Sequence, residues 1–159
     1  MTAGLPERLR SVAALIPNRV AAVADVGAGH GALAAHLASR AGVRVIATEA
    51  SAGPLLELCR NLAAWGVEDR VEVRRGDGLD ALGYGEVDVA VVAGMGAHTV
   101  LGIAADAHSR GIRRLILQCM QRDELVAPWL ANRGWPVCAS ASCTQRGRRY
   151  TARLVEVGA

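Results

Sequence analysis

Apolar residues recur along this chain in two alternating periods. Leu5, Leu9, Val12, Ala13 and Ile16 fall at helical spacing, so residues 5–16 read as an amphipathic helix that Pro17-Asn18 ends. Short apolar runs and helical stretches then alternate. Val20–Asp25 predicts a first strand and Gly31–Arg40 a helix. Val43–Thr48 predicts a second strand ending at Glu49. A helix follows from Ser51 or Gly53 to Trp65, with Pro54 near its first turn and Gly66 as its stop. Val71–Arg75, Val87–Val92 and Arg114–Gln118 continue the strands, with helices over Ala97–Ser109 and Asp123–Asn132. Pro136–Thr144 and Arg149–Val157 face each other across Gln145-Arg146-Gly147-Arg148 as a hairpin. Strand–helix alternation of this kind implies an α/β three-layer sandwich, with a mainly parallel sheet, helices on both faces and right-handed crossovers. The antiparallel C-terminal hairpin departs from a plain dinucleotide fold. Residues 1–159 read as one domain with a short N-terminal helix.

The first strand runs into Asp25-Val26-Gly27-Ala28-Gly29-His30-Gly31. A strand, a carboxylate, a glycine-rich turn and a helix start make a cradle for a small molecule, because glycine lets backbone approach a ligand closely. Gly27-x-Gly29-x-x-Ala32 also satisfies the dinucleotide fingerprint, so the glycines alone leave two ligands open. Asp25 bears on the choice. Its charge would repel a pyrophosphate, whereas the sulfonium and ammonium of S-adenosylmethionine would be attracted, the more so under burial. Alternatively, Asp25 caps the turn or the next helix.

Ligands of open α/β sheets bind outside the carboxyl ends of the strands. Two further acids lie at such ends. Glu49 closes the second strand, where a carboxylate can accept both ribose hydroxyls. Asp77 follows the third, where it can accept from an adenine amino group with the Gly78 backbone beside the ring. Either acid alone is more often a helix cap or solvated loop residue, and Glu49 would also suit NAD. Their order, each at its own strand end behind the glycine loop, favours a methyltransferase and puts Asp25, Gly27, Gly29, Glu49, Asp77 and Gly78 at the cofactor. Gly94-Met95-Gly96 after the fourth strand would leave room for a flat base, with His30 on the same acceptor side.

Composition narrows the class. A chain of 159 residues can bury roughly two thirds of its unfolded surface. With 52% hydrophobic residues, 3% aromatics and no Phe, the core must be Ala, Val, Leu and Ile. No apolar run reaches the ~18 residues of a membrane span and no secretory pattern opens the chain, so a cytoplasmic protein is expected. Net charge is +3, and all 18 basic residues are Arg, which points to genome composition rather than to nucleic acid. Four cysteines without a CxxC pair and four scattered histidines suggest neither a disulfide framework nor a metal site.

The chain resembles the bacterial tRNA adenine-N1-methyltransferases that act on adenine 22. The resemblance is carried by Arg8-Leu9 with Val12-Ala13 and Ile16-Pro17, by Ala24-Asp25-Val26-Gly27 with His30, and by Glu49 with Gly53-Pro54. It continues through Val73-Arg74-Arg75-Gly76-Asp77-Gly78-Leu79, Ala93-Gly94-Met95-Gly96 and Leu115-Ile116-Leu117-Gln118. It implies a class I methyltransferase fold with a seven-stranded Rossmann-like sheet, S-adenosylmethionine as donor, S-adenosylhomocysteine as product and tRNA as acceptor. RNA phosphates would then meet Arg8 and Arg10 on the first helix and Arg146, Arg148 and Arg149 at the hairpin, although a short basic run is more commonly a solvated charged turn. Three departures stand out. Family members carry Asp where this chain has Gly29, Leu-Gln-Pro becomes Leu117-Gln118-Cys119, and most members continue into a helical C-terminal domain, which is not expected here. A nicotinamide-dependent oxidoreductase is the alternative, although Lys is absent and no catalytic Tyr-Lys pair exists. A degenerate module that binds the donor or RNA without transfer is another.

Overall fold

A computed structural model describes residues 4–158. Seven strands form one sheet: β1 (Ala22–Val26), β2 (Arg44–Glu49), β3 (Val71–Arg75), β4 (Val89–Met95), β5 (Arg114–Cys119), β6 (Val137–Gln145) and β7 (Arg148–Glu156). Their spatial order is β3-β2-β1-β4-β5-β7-β6, parallel except for β7, which inserts antiparallel between β5 and β6. The helices are α1 (Glu7–Ala14), α2 (Ala32–Ala38), α3 (Ala52–Ala64), α4 (Ala97–Ala104) and α5 (Val126–Arg133). The class I sheet and its closing hairpin are therefore present.

The period of two along each strand divides the core. Ala22, Ala24 and Val26 of β1 face a cluster completed by Val100, Leu101 and Ala104 of α4 and Val126 and Leu130 of α5. Val23 faces the other cluster, with Val12 of α1, Leu33 and Leu37 of α2, and Leu58 and Leu62 of α3. Central strands buried on both faces carry continuous apolar runs, as parallel sheets require. Asp25 and Gln118 interrupt two such runs. By alternation both point into the layer that α1 and α2 cover.

Several boundaries differ from the sequence reading. β1 starts two residues later than expected, because Val20 and Ala21 belong to the turn after α1. Strand β4 runs on through Ala93-Gly94-Met95, expected as loop, by way of a register shift between Ala93 and Met95 against β5. A bulge of this kind bends a strand and re-aims its side chains. Helix α4 stops at Ala104, after which turns reach Gly111. The helix expected from Asp123 opens as a 3-10 turn over Asp123–Leu125. The hairpin turn contains only Arg146 and Gly147, with φ of 51° and 74°. Positive φ at both residues suits the twist of paired strands.

Candidate functional site

The glycine loop is anchored to its neighbours before any ligand is considered. Ala28 N–H donates to the Thr48 carbonyl (2.9 Å), which ties the loop to the end of β2. Gly31 stands at φ +89°, and a Cβ there would lie 2.6 Å from Leu58 Cδ1. Only glycine lets α2 start this close to α3. Gly29 N–H donates to Glu49 Oε1 at 2.6 Å, so the glycine loop and the acid that ends β2 meet directly.

Gly27, Gly29, Glu49, Asp77, Gly78 and Met95 line one cleft of about 500 Å³, whose rim includes His30 and Gly94. A second cavity of about 300 Å³ adjoins it, sharing Gly27, Gly29, His30 and Gly94 and adding Asp25 and Arg8. Of the ten residues that the sequence points to, nine thus line one or both of these spaces. The tenth, Gly96, lies at the start of α4 and belongs to neither lining.

Asp25 is the electrostatic anomaly. It is 5% exposed, and its Oδ2 has no hydrogen-bond partner among the described residues. Burial pushes its carboxyl from the ordinary 3.8 to about 7, and the Glu49 charge adds to the rise; the Ala34 N–H and the Arg8 guanidinium oppose it. A carboxyl with a raised folded pKa binds its proton more tightly when folded. Its contribution therefore favours folding at low pH and is lost as pH rises from about 4 through about 7. Such a group gains most from a cation placed against it.

Gln118 lies behind the cavity wall, where it holds two lining residues, a role that sequence reasoning missed. It is 1% exposed at the end of β5, where Oε1 accepts from Arg8 Nη1 (2.6 Å) and from Gly94 N–H (3.2 Å), while Nε2 donates to the Cys119 carbonyl (2.7 Å). Its signal is a polar residue at a strand end in an otherwise apolar run, the same signal that marks Asp25. Arg8 is expected to meet RNA phosphates together with Arg10. Instead α1 turns it inward to Gln118, and burial lowers its pKa. Arg10 is exposed beside His36 and Arg40.

His30 is largely exposed and its Nδ1 lies 2.7 Å from Glu57 Oε1. The hairpin arginines are also exposed. Because β7 is antiparallel to β5, its first residues lie beyond the carboxyl end of β5, and Arg148 reaches the Met120 carbonyl (3.4 Å). Arg8 N–H donates to Gln145 Oε1, fastening α1 to the same hairpin (3.2 Å). The larger cavity of about 560 Å³, around Tyr84, Asp88, His108 and Arg113, sits at the opposite end of the strands and contains none of these groups. Among the described residues, no group of His, Cys, Asp or Glu could hold a metal, and no helix is long and apolar enough to cross a membrane.

Known proteins resemble this chain along almost its whole length. The family described as a methyltransferase domain matches residues 5–152. The tRNA (adenine(22)-N(1))-methyltransferase of Bacillus subtilis (strain 168) is 32% identical over 97% of this chain, which spans 66% of that relative's length. The crystal structure of the B. subtilis m1A22 tRNA methyltransferase superposes with a TM-score of 0.84 at 29% identity, covering 96% of this chain and 66% of that one. Streptococcus pneumoniae Sp1610 in complex with S-adenosyl-L-methionine gives 0.87 at 29% identity, covering 97% and 73%.

Proposed function

The chain belongs to the methyltransferase-domain family, and we propose that it transfers a methyl group from S-adenosylmethionine to N1 of an adenine in tRNA. Residues 1–159 would act as one catalytic domain in the cytoplasm, where tRNA is available. The observation that carries the reading is the buried Asp25 carboxyl, with Oδ2 unpartnered, on a cavity joined to a cleft lined by Glu49 and Asp77. A cationic donor fits that pattern and a pyrophosphate does not, since the anion would face three acids. The kinship to a tRNA (adenine(22)-N(1))-methyltransferase supports the acceptor.

In this reading Asp25 faces the donor's ammonium, Glu49 accepts the ribose hydroxyls, and Asp77 with the Gly78 backbone receives the adenine. When bound, the donor would supply an electrophilic methyl group, the electrons of the C–S bond staying on sulfur. Adenine N1 already carries an in-plane lone pair, so no residue of this chain has to remove a proton first. The protein's task is positioning, which can contribute roughly 7–11 kcal/mol to lowering a barrier. Gly94 and Met95, re-aimed by the bulge in β4, would form the acceptor wall with His30 and Gly96. A base in folded RNA must be unstacked to reach them. Arg10 and the exposed hairpin arginines would hold phosphates around that opening.

The test is nucleoside analysis by mass spectrometry of unmodified tRNA incubated with the protein and S-adenosylmethionine. N1-methyladenosine should appear. Binding of S-adenosylhomocysteine with no methylated nucleoside would reduce the reading to donor binding alone.

A further inference from the structure

The two edges of the sheet are finished differently. An edge strand presents a row of unpaired N–H and C=O groups on which another strand can build, and short length, charge, proline or a bulge normally blunts it. β3, the edge beside β2, is five residues long and carries the charges of Glu72, Arg74 and Arg75. Glu72 and Arg74 are further tied into ion pairs with Arg44 and Glu86. β6, the other edge, runs for nine residues, Val-Cys-Ala-Ser-Ala-Ser-Cys-Thr-Gln, with no charge and no proline. At roughly 3.4 Å per residue it offers an edge about 30 Å long. Its register shift lies at its start, between Val137 and Ala139, and leaves Ala139–Gln145 regularly paired with β7. Val137, Cys138, Ala139, Ser140, Ser142 and Thr144 are exposed. Helix α1 packs against one face of the strand, but among the described residues no strand pairs with its outer edge.

We propose that β6 pairs antiparallel with β6 of a second copy of this chain, joining two seven-stranded sheets about a two-fold axis. A two-fold contact sets a surface against itself, so like charges there would repel, and an uncharged strand is compatible with its own copy. Two charged side chains of β7 do reach across β6, and they lie toward opposite ends of it. Glu156 Oε2 is 3.8 Å from Cys138 Sγ, and Arg149 Nη2 is 3.5 Å from Ser142 Oγ. An axis at Ser140 places Cys138 opposite Ser142 of the second copy, which brings Glu156 of one copy toward Arg149 of the other. Parallel pairing would bring like charges together instead. This complementarity is what selects a second copy as the occupant of the edge. The pairing leaves each cleft complete within one chain. β6 runs parallel to β5, so an antiparallel junction turns the carboxyl ends of the two sheets in opposite directions. The proposal is therefore independent of the donor reading.

Sedimentation equilibrium of the full chain from about 1 to about 100 µM, the range of micromolar association, should show monomer and dimer with no larger species. Ser140→Lys sets like charges across the axis and should raise the dissociation constant at least about tenfold. Ser140→Thr, uncharged and suited to a strand, should stay within about threefold of wild type. Amide hydrogen exchange supplies a reading that needs no variant: β6 amides of the wild type should exchange more slowly as concentration rises, while those of the β3 edge should not change. Thermal melts at the lowest concentration establish that both variants are folded; if Ser140→Lys melts early, the exchange measurement decides. A wild-type chain that stays monomeric to about 100 µM, with β6 exchange independent of concentration, would overturn the proposal. So would a dimer equally tight in Ser140→Lys, which would place the contact on another surface, or growth beyond the dimer, which a closed two-fold pairing forbids.

Discussion

The two ends of the sheet treat charge in opposite ways. Toward the amino end, Arg44 at the start of β2 and Glu86 ahead of β4 close into a network with Glu72 and Arg74 along the edge strand β3, in which Arg74 and Arg44 each pair with both acids, at 2.6 to 3.1 Å. Hydrogen bonds from Arg74 and the Gly83 N–H hold Glu86 down at about 2. At the carboxyl end, Asp25 is buried without a partner for Oδ2 and is pushed up to about 7. Paired charges near the surface fasten β2, β3 and the approach to β4 to one another. Unpaired charge in a buried cavity is unfavourable for the folded chain and favourable for a ligand that completes it. The larger cavity lies at the satisfied end and the proposed site at the unsatisfied one.

Substitutions at the two ends should behave differently. The largest effect is expected at Glu49. Glu49→Ala should weaken S-adenosylhomocysteine by about 1.5–3 kcal/mol, measured by calorimetry, since hydrogen bonds to a charged group disappear. An affinity equal to wild type would remove Glu49 from the ribose. Gly29→Asp comes next. Position 29 has φ +56° and nothing within 4 Å of a Cβ, so the side chain has space and the penalty is in the backbone. Asp tolerates this region better than most residues, and a loss of about 1 kcal/mol is expected in thermal melts. The resembling family carries Asp here on the acceptor side, so methylation of tRNA should rise despite that loss. A rate that stays flat would show that the acceptor is held without it.

At the satisfied end, Glu86→Gln should reduce stability by about 1 kcal/mol or less and leave S-adenosylhomocysteine affinity unchanged. Because its folded pKa is depressed, the Glu86 contribution is present above about 4.5 and lost as pH falls through about 2. Urea melts of wild type and variant should therefore converge in acid; a constant gap would assign the effect to something other than charge. The smallest effect concerns the hairpin. Neutralising Arg146, Arg148 and Arg149 should weaken tRNA binding and flatten its dependence on salt. The logarithmic slope should drop by about 0.7–0.9 for each phosphate that an arginine no longer neutralises. A slope identical to wild type would leave these three as solvated turn residues.

Much of the fold and the clustering of the candidate site is legible in the sequence, for physical reasons that also explain the misses. Alternating periods mark every strand, and strand-end acids behind a glycine loop mark Asp25, Glu49 and Asp77, because parallel topology places strand ends together. The bulge that keeps Gly94 and Met95 in β4 is not visible, since it depends on register against β5. Arg8 is misplaced because a basic residue on a short helix reads as solvent-facing until its partner is known. That partner, Gln118, comes from an element 110 residues away. Gly31 reads as part of the turn that cradles a ligand and starts a helix, whereas its contact role is steric and set by Leu58 of α3.

A cationic donor that completes the unpaired charge at the carboxyl end must be felt by the Asp25 carboxyl. Calorimetric titration of S-adenosylhomocysteine from about pH 8 to about pH 6, on wild type and Asp25→Asn, tests it most directly. A cation against Asp25 favours the ionised carboxyl, so wild-type affinity should fall as pH drops through about 7, with proton release on binding in that range. Asp25→Asn should bind more weakly at the upper end and lose this pH dependence. Wild-type affinity that is level across the range, or an Asn variant that follows the same curve, would contradict the account.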